Sequence, residues 1–407
     1  MFFVALPRYT LALSFAKALT DTLFPYKIKT GIKPKKGIAM RDLTCGFIGL
    51  GLIGGSIAKA LKNQQPEVNI IAFDIDKESL LLAQTEKITS ICYEQLDEVA
   101  AKHLGSCDIL FLCAPVSRND DNLRLIKKHL SKHCILTDVG SVKTPIHKTI
   151  EELGLNESFI GGHPMSGSEK IGFANANALL FENAFYFLTP TKQVSQDKIE
   201  LMKEVIGIIG AIPLILDSQK HDYITAAISH LPHVIAYSLV NLVNENDKDG
   251  MMKLIAAGGF KDITRIASSS PVMWQQICLT NTDNITELLD KYIDELSSMR
   301  DALKAQDGDT LIDSFQSAKE FRDSFKNASG SPVTKLHEVY LYIPDKPGAL
   351  AMTATILALN NISIKNIGIM HNREFQEGVL RIEFYDEPSA EAAITLLGQN
   401  NYTIYHR

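Results

Sequence analysis

The stretch Leu43-Thr-Cys-Gly-Phe-Ile-Gly-Leu-Gly-Leu-Ile-Gly-Gly-Ser-Ile-Ala-Lys-Ala-Leu61 decides how the first half of the chain is read. Its apolar start, Leu43 to Ile48, predicts a strand, and Gly55 to Leu61 predicts a helix, with Gly49-Leu50-Gly51-Leu52-Ile53-Gly54 between them. Glycine at these spacings has a physical purpose. Gly49 permits a tight turn, Gly51 lets a pyrophosphate reach the backbone, and Gly54 lets strand and helix pack closely. The phosphates then meet N–H groups at the positive end of the helix. A plain strand-to-helix turn could use the same glycines, so the next acid matters. Asp74 lies 20 residues after Gly54, at the end of a second apolar run, Asn69 to Phe73. A carboxylate there accepts hydrogen bonds from ribose hydroxyls and repels a 2′-phosphate, and no arginine follows in Ile75-Asp76-Lys77. NAD, rather than NADP, is the cofactor this predicts, with Lys77 counting the other way.

Outward from this unit, Asp108 to Cys113, Cys134 to Asp138 and Ser158 to Gly162 also read as strands, alternating with helical stretches up to about Thr189. Near-continuous apolar strands separated by helices predict a parallel sheet covered on both faces, the doubly wound Rossmann-type α/β class. Leu112-Cys113-Ala114-Pro115 brings Ala114 and Pro115 to the carboxyl edge of that sheet, where dinucleotides lie. After Val194 the pattern changes to long helices, Lys198 to Gly210, His221 to Asn244, Pro271 to Thr280 and Asn284 to Ala305. The small, polar run Asn327 to Pro332 suits a linker. Beyond it, strand and helix patterns follow in the order βαββαβ, a ferredoxin-like unit. The expected division is an extension over 1–42, a dinucleotide-binding domain over 43–193, a helical domain over 194–326, a linker over 327–334 and a small domain over 335–407.

A chain of 407 residues with 45% hydrophobic and 22% charged residues fits such a multidomain globular protein. Its net charge of −6 argues against a non-specific nucleic-acid surface. No stretch of about 18 uninterrupted apolar residues suggests a membrane span. The six cysteines show neither CxxC pairs nor metal-ligand spacing, so no metal is expected, and reduced thiols in the cytoplasm are. Residues 1 to 39 carry seven basic residues against Asp21 alone and read as a non-core extension ahead of a natural start at Met40.

Asp138-Val-Gly-Ser141-Val-Lys143 and Gly161-Gly-His163-Pro-Met-Ser-Gly-Ser-Glu169-Lys170 both follow expected strands, so both loops open at the cofactor's edge of the sheet. Further on stand Ser229-His230-Leu-Pro-His233 and Gly258-Gly-Phe-Lys-Asp-Ile-Thr-Arg265-Ile-Ala267. In this order the four motifs resemble the prephenate dehydrogenase family, over about residues 43 to 325. The resemblance implies NAD-dependent oxidation and decarboxylation of prephenate to 4-hydroxyphenylpyruvate, and a homodimer whose helical domain supplies dimer contacts and part of the substrate pocket. Prephenate carries two carboxylates and a ring hydroxyl, so its site needs a proton acceptor and cations. His163 suits the first role, since its ordinary pKa lies near neutrality. By the family's pattern, Ser141 hydrogen-bonds His163 or the hydroxyl. Arg265 offers a two-pronged grip on a carboxylate. His230 and His233 share a helix face toward the substrate, or else pack that helix against the sheet domain. Lys261 and Trp274 match positions near the dimer-related pocket, although Pro271-Val-Met-Trp274 also reads as an ordinary helix start. Glu169 adjusts the pocket's protonation or simply pairs with Lys170.

Asp345-Lys-Pro347-Gly348-Ala349-Leu350 resembles the amino-acid-binding turn of ACT domains. That resemblance implies tyrosine as an allosteric ligand, with Asn366 contributed from a facing copy; a dimerisation module without ligand is the alternative. Rival readings of the whole chain are arogenate dehydrogenase, a β-hydroxyacid dehydrogenase, which would need a catalytic lysine on the helix after the sheet domain, and a non-catalytic amino-acid sensor.

Overall fold

The computed structural model describes residues 43–167, 170–327, 337–344, 346–370 and 378–405. The extension over 1–42, Glu169, Asp345 and most of the expected linker lie outside the described residues. Strands β1 (Thr44–Ile48), β2 (Asn69–Phe73), β3 (Ile91–Tyr93), β4 (Ile109–Leu112) and β5 (Ile135–Asp138) form one sheet in the order β3-β2-β1-β4-β5. All its pairings are parallel. Successive side chains on a strand point to opposite faces, so each strand feeds two cores. Phe47 and Phe111 face one side, where their rings stack 4.9 Å apart, while Ile48, Leu110 and Leu112 face the other. Helix Leu52–Gln64 covers the first face through Ile57, Ala58 and Leu61.

The sheet does not continue as a purely parallel one. Strands β6 (Ile160–Pro164), β7 (Phe185–Pro190) and β8 (Ile212–Ile215) form a second sheet, with β6 antiparallel to β7 and β7 parallel to β8. A parallel bridge between Leu136 and Phe159 ties it to the first. The sequence reading missed β3, β7 and β8. Strand β3 has only three residues, and β8 contains Pro213, which counts against a strand but is tolerated at the edge position β8 occupies. The boundary at residue 193 therefore falls too early. Met202, Val205 and Ile206 of helix Gln196–Ile208 pack in the same core as Phe47 and Tyr186, so helix and β8 belong to the sheet domain.

The expected helix from His221 to Asn244 is two helices, Ser218–Thr225 and Leu231–Asn246, joined by a π turn over Ala226–His230. Pro232 has no N–H to give the carbonyl four residues back, so a regular helix cannot run through this point intact. By length and composition alone the run Ser218–Asn246 is apolar enough to cross a membrane, a feature the sequence reading did not flag. Its polar groups His221, Asp222 and His230 are nevertheless buried within protein. In helix Leu231–Asn246 Ala236 is buried, most of the other apolar residues are half-buried, and Leu242 is exposed. Helices Gly258–Thr264, Pro271–Thr280 and Thr282–Ala305 complete this region.

Residues from Gln316 onward belong to a second compact unit. Its strands β9 (His337–Ile343), β10 (Ile364–Met370), β11 (Gly378–Phe384) and β12 (Ile404–Tyr405) pair antiparallel in the order β10-β11-β9-β12. Helices Ala349–Leu359 and Glu387–Gln399 contribute Leu357, Ala393 and Leu397 to a core with Val339, Leu341, Leu380 and Ile382. This is the ferredoxin-like arrangement read from the sequence.

Candidate active site

The glycine loop has the geometry its sequence demands. Gly49 has φ of +94°, and a Cβ there would lie 2.5 Å from the Ala114 nitrogen. A Cβ on Gly54 would lie 2.5 Å from the Gly49 oxygen, whereas one on Gly51 would meet nothing within 4 Å. Gly51 thus faces open space, as a backbone approached by a ligand must. Helix Leu52–Gln64 starts there with neither a side-chain cap nor an acid in its first turn, leaving its N–H groups available to an anion. Asp74 accepts from the Leu50 N–H at 2.5 Å and from the Asp76 N–H at 2.8 Å, which ties the end of β2 to the loop. Lys77 is paired with Glu94 at 2.6 Å, which answers the one basic residue that counted against NAD. Ala114 is half-buried and Pro115 exposed at the end of β4, on the same edge. The residues fit a dinucleotide with free ribose hydroxyls.

His163 lies on β6, beside the end of β5. A Cβ on Gly162 would sit 2.5 Å from the Asp138 oxygen, so the two strands meet here almost backbone to backbone. The Gly162 N–H donates to Asp138 at 3.1 Å, and Lys143, fully buried, donates to the Gly162 carbonyl at 2.7 Å and forms an ion pair with Asp138. The two loops predicted to converge are thus bolted together through Lys143, to which the sequence reading gave no role. Burial pushes the His163 imidazole well below its ordinary value, and His221, Lys143 and His230 add to the effect. The ring is uncharged at neutral pH, as a base must be.

The partner of the His163 ring is not Ser141. Its Nδ1 lies 2.9 Å from Nε2 of His221, whose Nδ1 lies 2.8 Å from Asp222. Asp222 also accepts the Lys143 and Thr144 N–H groups, each at 2.7 Å. Burial acts to raise the Asp222 carboxyl, but the bonds from His221, Thr144 and Lys143 outweigh it and hold the group below the usual carboxylate value. Among the described residues no hydrogen bond joins Ser141 to His163; Ser141 is half-buried in the neighbouring loop and remains available to a ligand. Sequence reasoning missed His221 and Asp222 because they stand 58 and 59 positions after His163 and belong to none of the motifs.

His230 and His233 do come together, around Trp274. The His233 ring stacks on the indole at 3.5 Å, and the His230 ring meets it edge-on at 6.0 Å. His230 is buried and shares the Asn281 amide, at 3.1 Å, with the Asp222 carbonyl, so it packs the helices as well as facing the site. Burial pushes it down to about 4. His233 is half-buried, with Nδ1 held by the Ser229 carbonyl at 2.9 Å and Nε2 without a hydrogen-bond partner among the described residues. Burial, and to a lesser degree the Arg265 charge, lowers it as well. Arg265 and Lys261 are exposed and have no ion-pair partner among the described residues. In the second unit, Gly348 opens helix Ala349–Leu359 with φ of +87°. Leu350 and Asn366 are exposed.

Comparison with known proteins matches residues 57–213 to the prephenate dehydrogenase nucleotide-binding domain and residues 217–317 to the prephenate dehydrogenase dimerization domain. The prephenate dehydrogenase of Bacillus subtilis is 36% identical over 357 residues, which cover 87% of this chain and 95% of that protein. The chain belongs to the prephenate dehydrogenase family. Among solved structures, Aquifex aeolicus prephenate dehydrogenase, in complex with hydroxyphenyl propionate and NAD+, aligns with a TM-score of 0.66 at 29% identity, covering 71% of this chain and 100% of that one. Synechocystis arogenate dehydrogenase aligns with a TM-score of 0.63 at 28% identity, covering 70% and 100%. An NAD-dependent oxidoreductase built as this family builds it, from a nucleotide-binding sheet domain and a dimerisation domain, accounts for both halves of the larger unit.

Proposed function

We propose that the chain oxidises and decarboxylates prephenate to 4-hydroxyphenylpyruvate and carbon dioxide with NAD as hydride acceptor, His163 being the base. The observation that carries the assignment of His163 is its position. An uncharged imidazole sits on the cofactor's edge of the sheet, one ring nitrogen engaged by His221 and the other without a partner among the described residues. NAD, when bound, takes the hydride from the ring carbon. His163 accepts the proton of the hydroxyl on that carbon, Ser141 hydrogen-bonds the hydroxyl, and Arg265 grips a carboxylate with two parallel N–H donors. His233, its Nδ1–H given to the Ser229 carbonyl, lies beside the substrate with Trp274 fixing its ring, and Lys261 adds positive charge. Loss of the ring carboxylate aromatises the product, so the protein mainly positions and polarises.

The substrate domain dimerises through helix Leu231–Asn246, whose Leu242 is exposed. The C-terminal unit is an ACT domain that binds tyrosine at the turn before helix Ala349–Leu359. Gly348, with its left-handed backbone, admits the ligand, Pro347, Ala349 and Leu350 shape the turn, and the helix start offers N–H groups to its carboxylate. Among the described residues strand β10 pairs only with β11, and that edge suits side-by-side pairing with a second copy, bringing Asn366 to the facing site. The enzyme works in the cytoplasm, a compartment that suits its free cysteines, of which burial pushes Cys107 and Cys134 up to about 12. Arogenate is the second substrate to test, given the Synechocystis relative. Measuring NADH formation with prephenate or arogenate, each with and without tyrosine, tests the whole reading. Prephenate turnover that tyrosine suppresses is the expected result; turnover of arogenate alone would change the substrate, and no turnover of either would overturn the reading.

A further inference from the structure

We infer that His221 and Asp222 are positioning residues that set the tautomer of His163, so that its Nε2 carries the lone pair which takes the substrate proton. The inference rests on the reading of His163 as the base and deepens it.

An ionised carboxylate only accepts hydrogen bonds, so the Asp222 contact at 2.8 Å places a proton on Nδ1 of His221. Asp222 cannot turn away to avoid this, since the Lys143 and Thr144 N–H groups hold both its oxygens. A neutral His221 with its proton on Nδ1 presents a bare Nε2. Among the described residues its one hydrogen-bond partner is Nδ1 of His163, at 2.9 Å, which must then be the donor. His163 in turn has its single proton on Nδ1 and a lone pair on Nε2. A doubly protonated His221 would reverse the last step: it would donate to His163 Nδ1, leave the His163 proton on Nε2 and block the base. The two arrangements therefore differ in a testable way.

Packing keeps the chain of bonds rigid. His221 and Asp222 are buried, and the Phe187 ring meets the His221 ring edge-on at 5.2 Å. Asn281 clamps the Asp222 carbonyl at 2.8 Å. The charged and titratable groups facing His163 are Lys143, His221 and His230, with Asp222 behind His221. When the substrate proton reaches Nε2, His163 becomes an imidazolium whose Nδ1–H already has an acceptor, and Asp222 balances the charge one ring away. No proton needs to move beyond His163 for this to help.

The test compares His163→Asn, His221→Leu and His221→Gln, with NAD affinity and thermal melting as checks on folding. Glutamine can still donate to Asp222 and accept from His163; leucine can do neither. His221→Leu should lower kcat on the order of 10²-fold at nearly unchanged KM and move the acid limb of the kcat profile to lower pH, because the imidazolium loses its acceptor. His221→Gln should recover most of the rate. A folded His221→Leu enzyme with wild-type kcat and an unmoved profile would overturn the inference while leaving the base assignment standing, provided His163→Asn is inactive. Full turnover in His163→Asn would instead remove the base reading and this inference with it. Independently of any His221 variant, long-range ¹H–¹⁵N spectra of the histidine-labelled wild-type protein read the tautomer. A His163 signal, identified by its loss in His163→Asn, with the proton on Nδ1 supports the inference, and one with the proton on Nε2 sinks it.

Discussion

In the proposed roles, His163 acts on rate and Arg265 on affinity, and substitutions should separate the two. Replacing His163 by Asn removes a group that acts in the transition state, so kcat should fall about 10²–10⁴-fold with little change in KM, read by NADH absorbance. Arg265→Ala should raise KM for prephenate about 10–100-fold, the equivalent of one charge-assisted contact, and Arg265→Lys should recover only part of it. Burial of His163 also predicts a pH limit: the acid limb of kcat should lie below 6.5, the ordinary histidine value. His230 gives a stability prediction with a definite sign. Its folded value near 4 lies below the ordinary 6.5, so the unfolded chain binds a proton that the folded one refuses. Its contribution is fully present above pH 6.5 and is lost as pH falls from there toward 4, about 3 kcal/mol at most. Urea denaturation at pH 7.5 and 5 should show this loss, and His230→Gln should flatten it. Of these residues, His163, Arg265, His230 and His233 stand out as candidates in the sequence because each lies in a dense local motif. His221 and Asp222 do not, since an adjacent His-Asp pair has no meaning until β6 is brought against it.

At the scale of elements, the contact between β5 and β6 holds the site. Gly162→Ala would drive a methyl group into the Asp138 carbonyl at 2.5 Å and the Tyr186 hydroxyl at 2.9 Å, neither of which can yield cheaply in a packed interior. The expected outcome is about 1–3 kcal/mol of lost stability by thermal or urea melts, together with a fall in turnover as His163 shifts. Strands and helices with strong periodicity were read nearly to the residue, as in β2 over Asn69–Phe73 and helix Pro271–Thr280. The failures share a cause. Strand β3 is too short for a period to register, Pro213 disguises β8, and the π turn at Ala226–His230 interrupts a helix whose apolar pattern runs on unchanged.

In the whole molecule, helix Leu231–Asn246 leaves Leu242 58% exposed. On a stretch that matches a dimerization domain, this leucine is a candidate for the interface. Leu242→Glu should shift the protein from dimer toward monomer in sedimentation, and full-length wild-type enzyme should lose prephenate turnover as tyrosine is added. By itself, the sequence determined the dinucleotide-binding class, the choice of NAD, the helical middle and the βαββαβ end. Each of these is written in local terms: glycine spacing, an acid at the end of a strand, or the period of apolar residues. Only the tertiary structure decided the reversal at β7, the place of helix Gln196–Ile208 in the sheet's core, and the pairing of the His163 ring with His221. These depend on which distant segments share one buried volume. Desolvation and hydrogen bonding there are properties of the packed neighbourhood, and a linear pattern does not contain them.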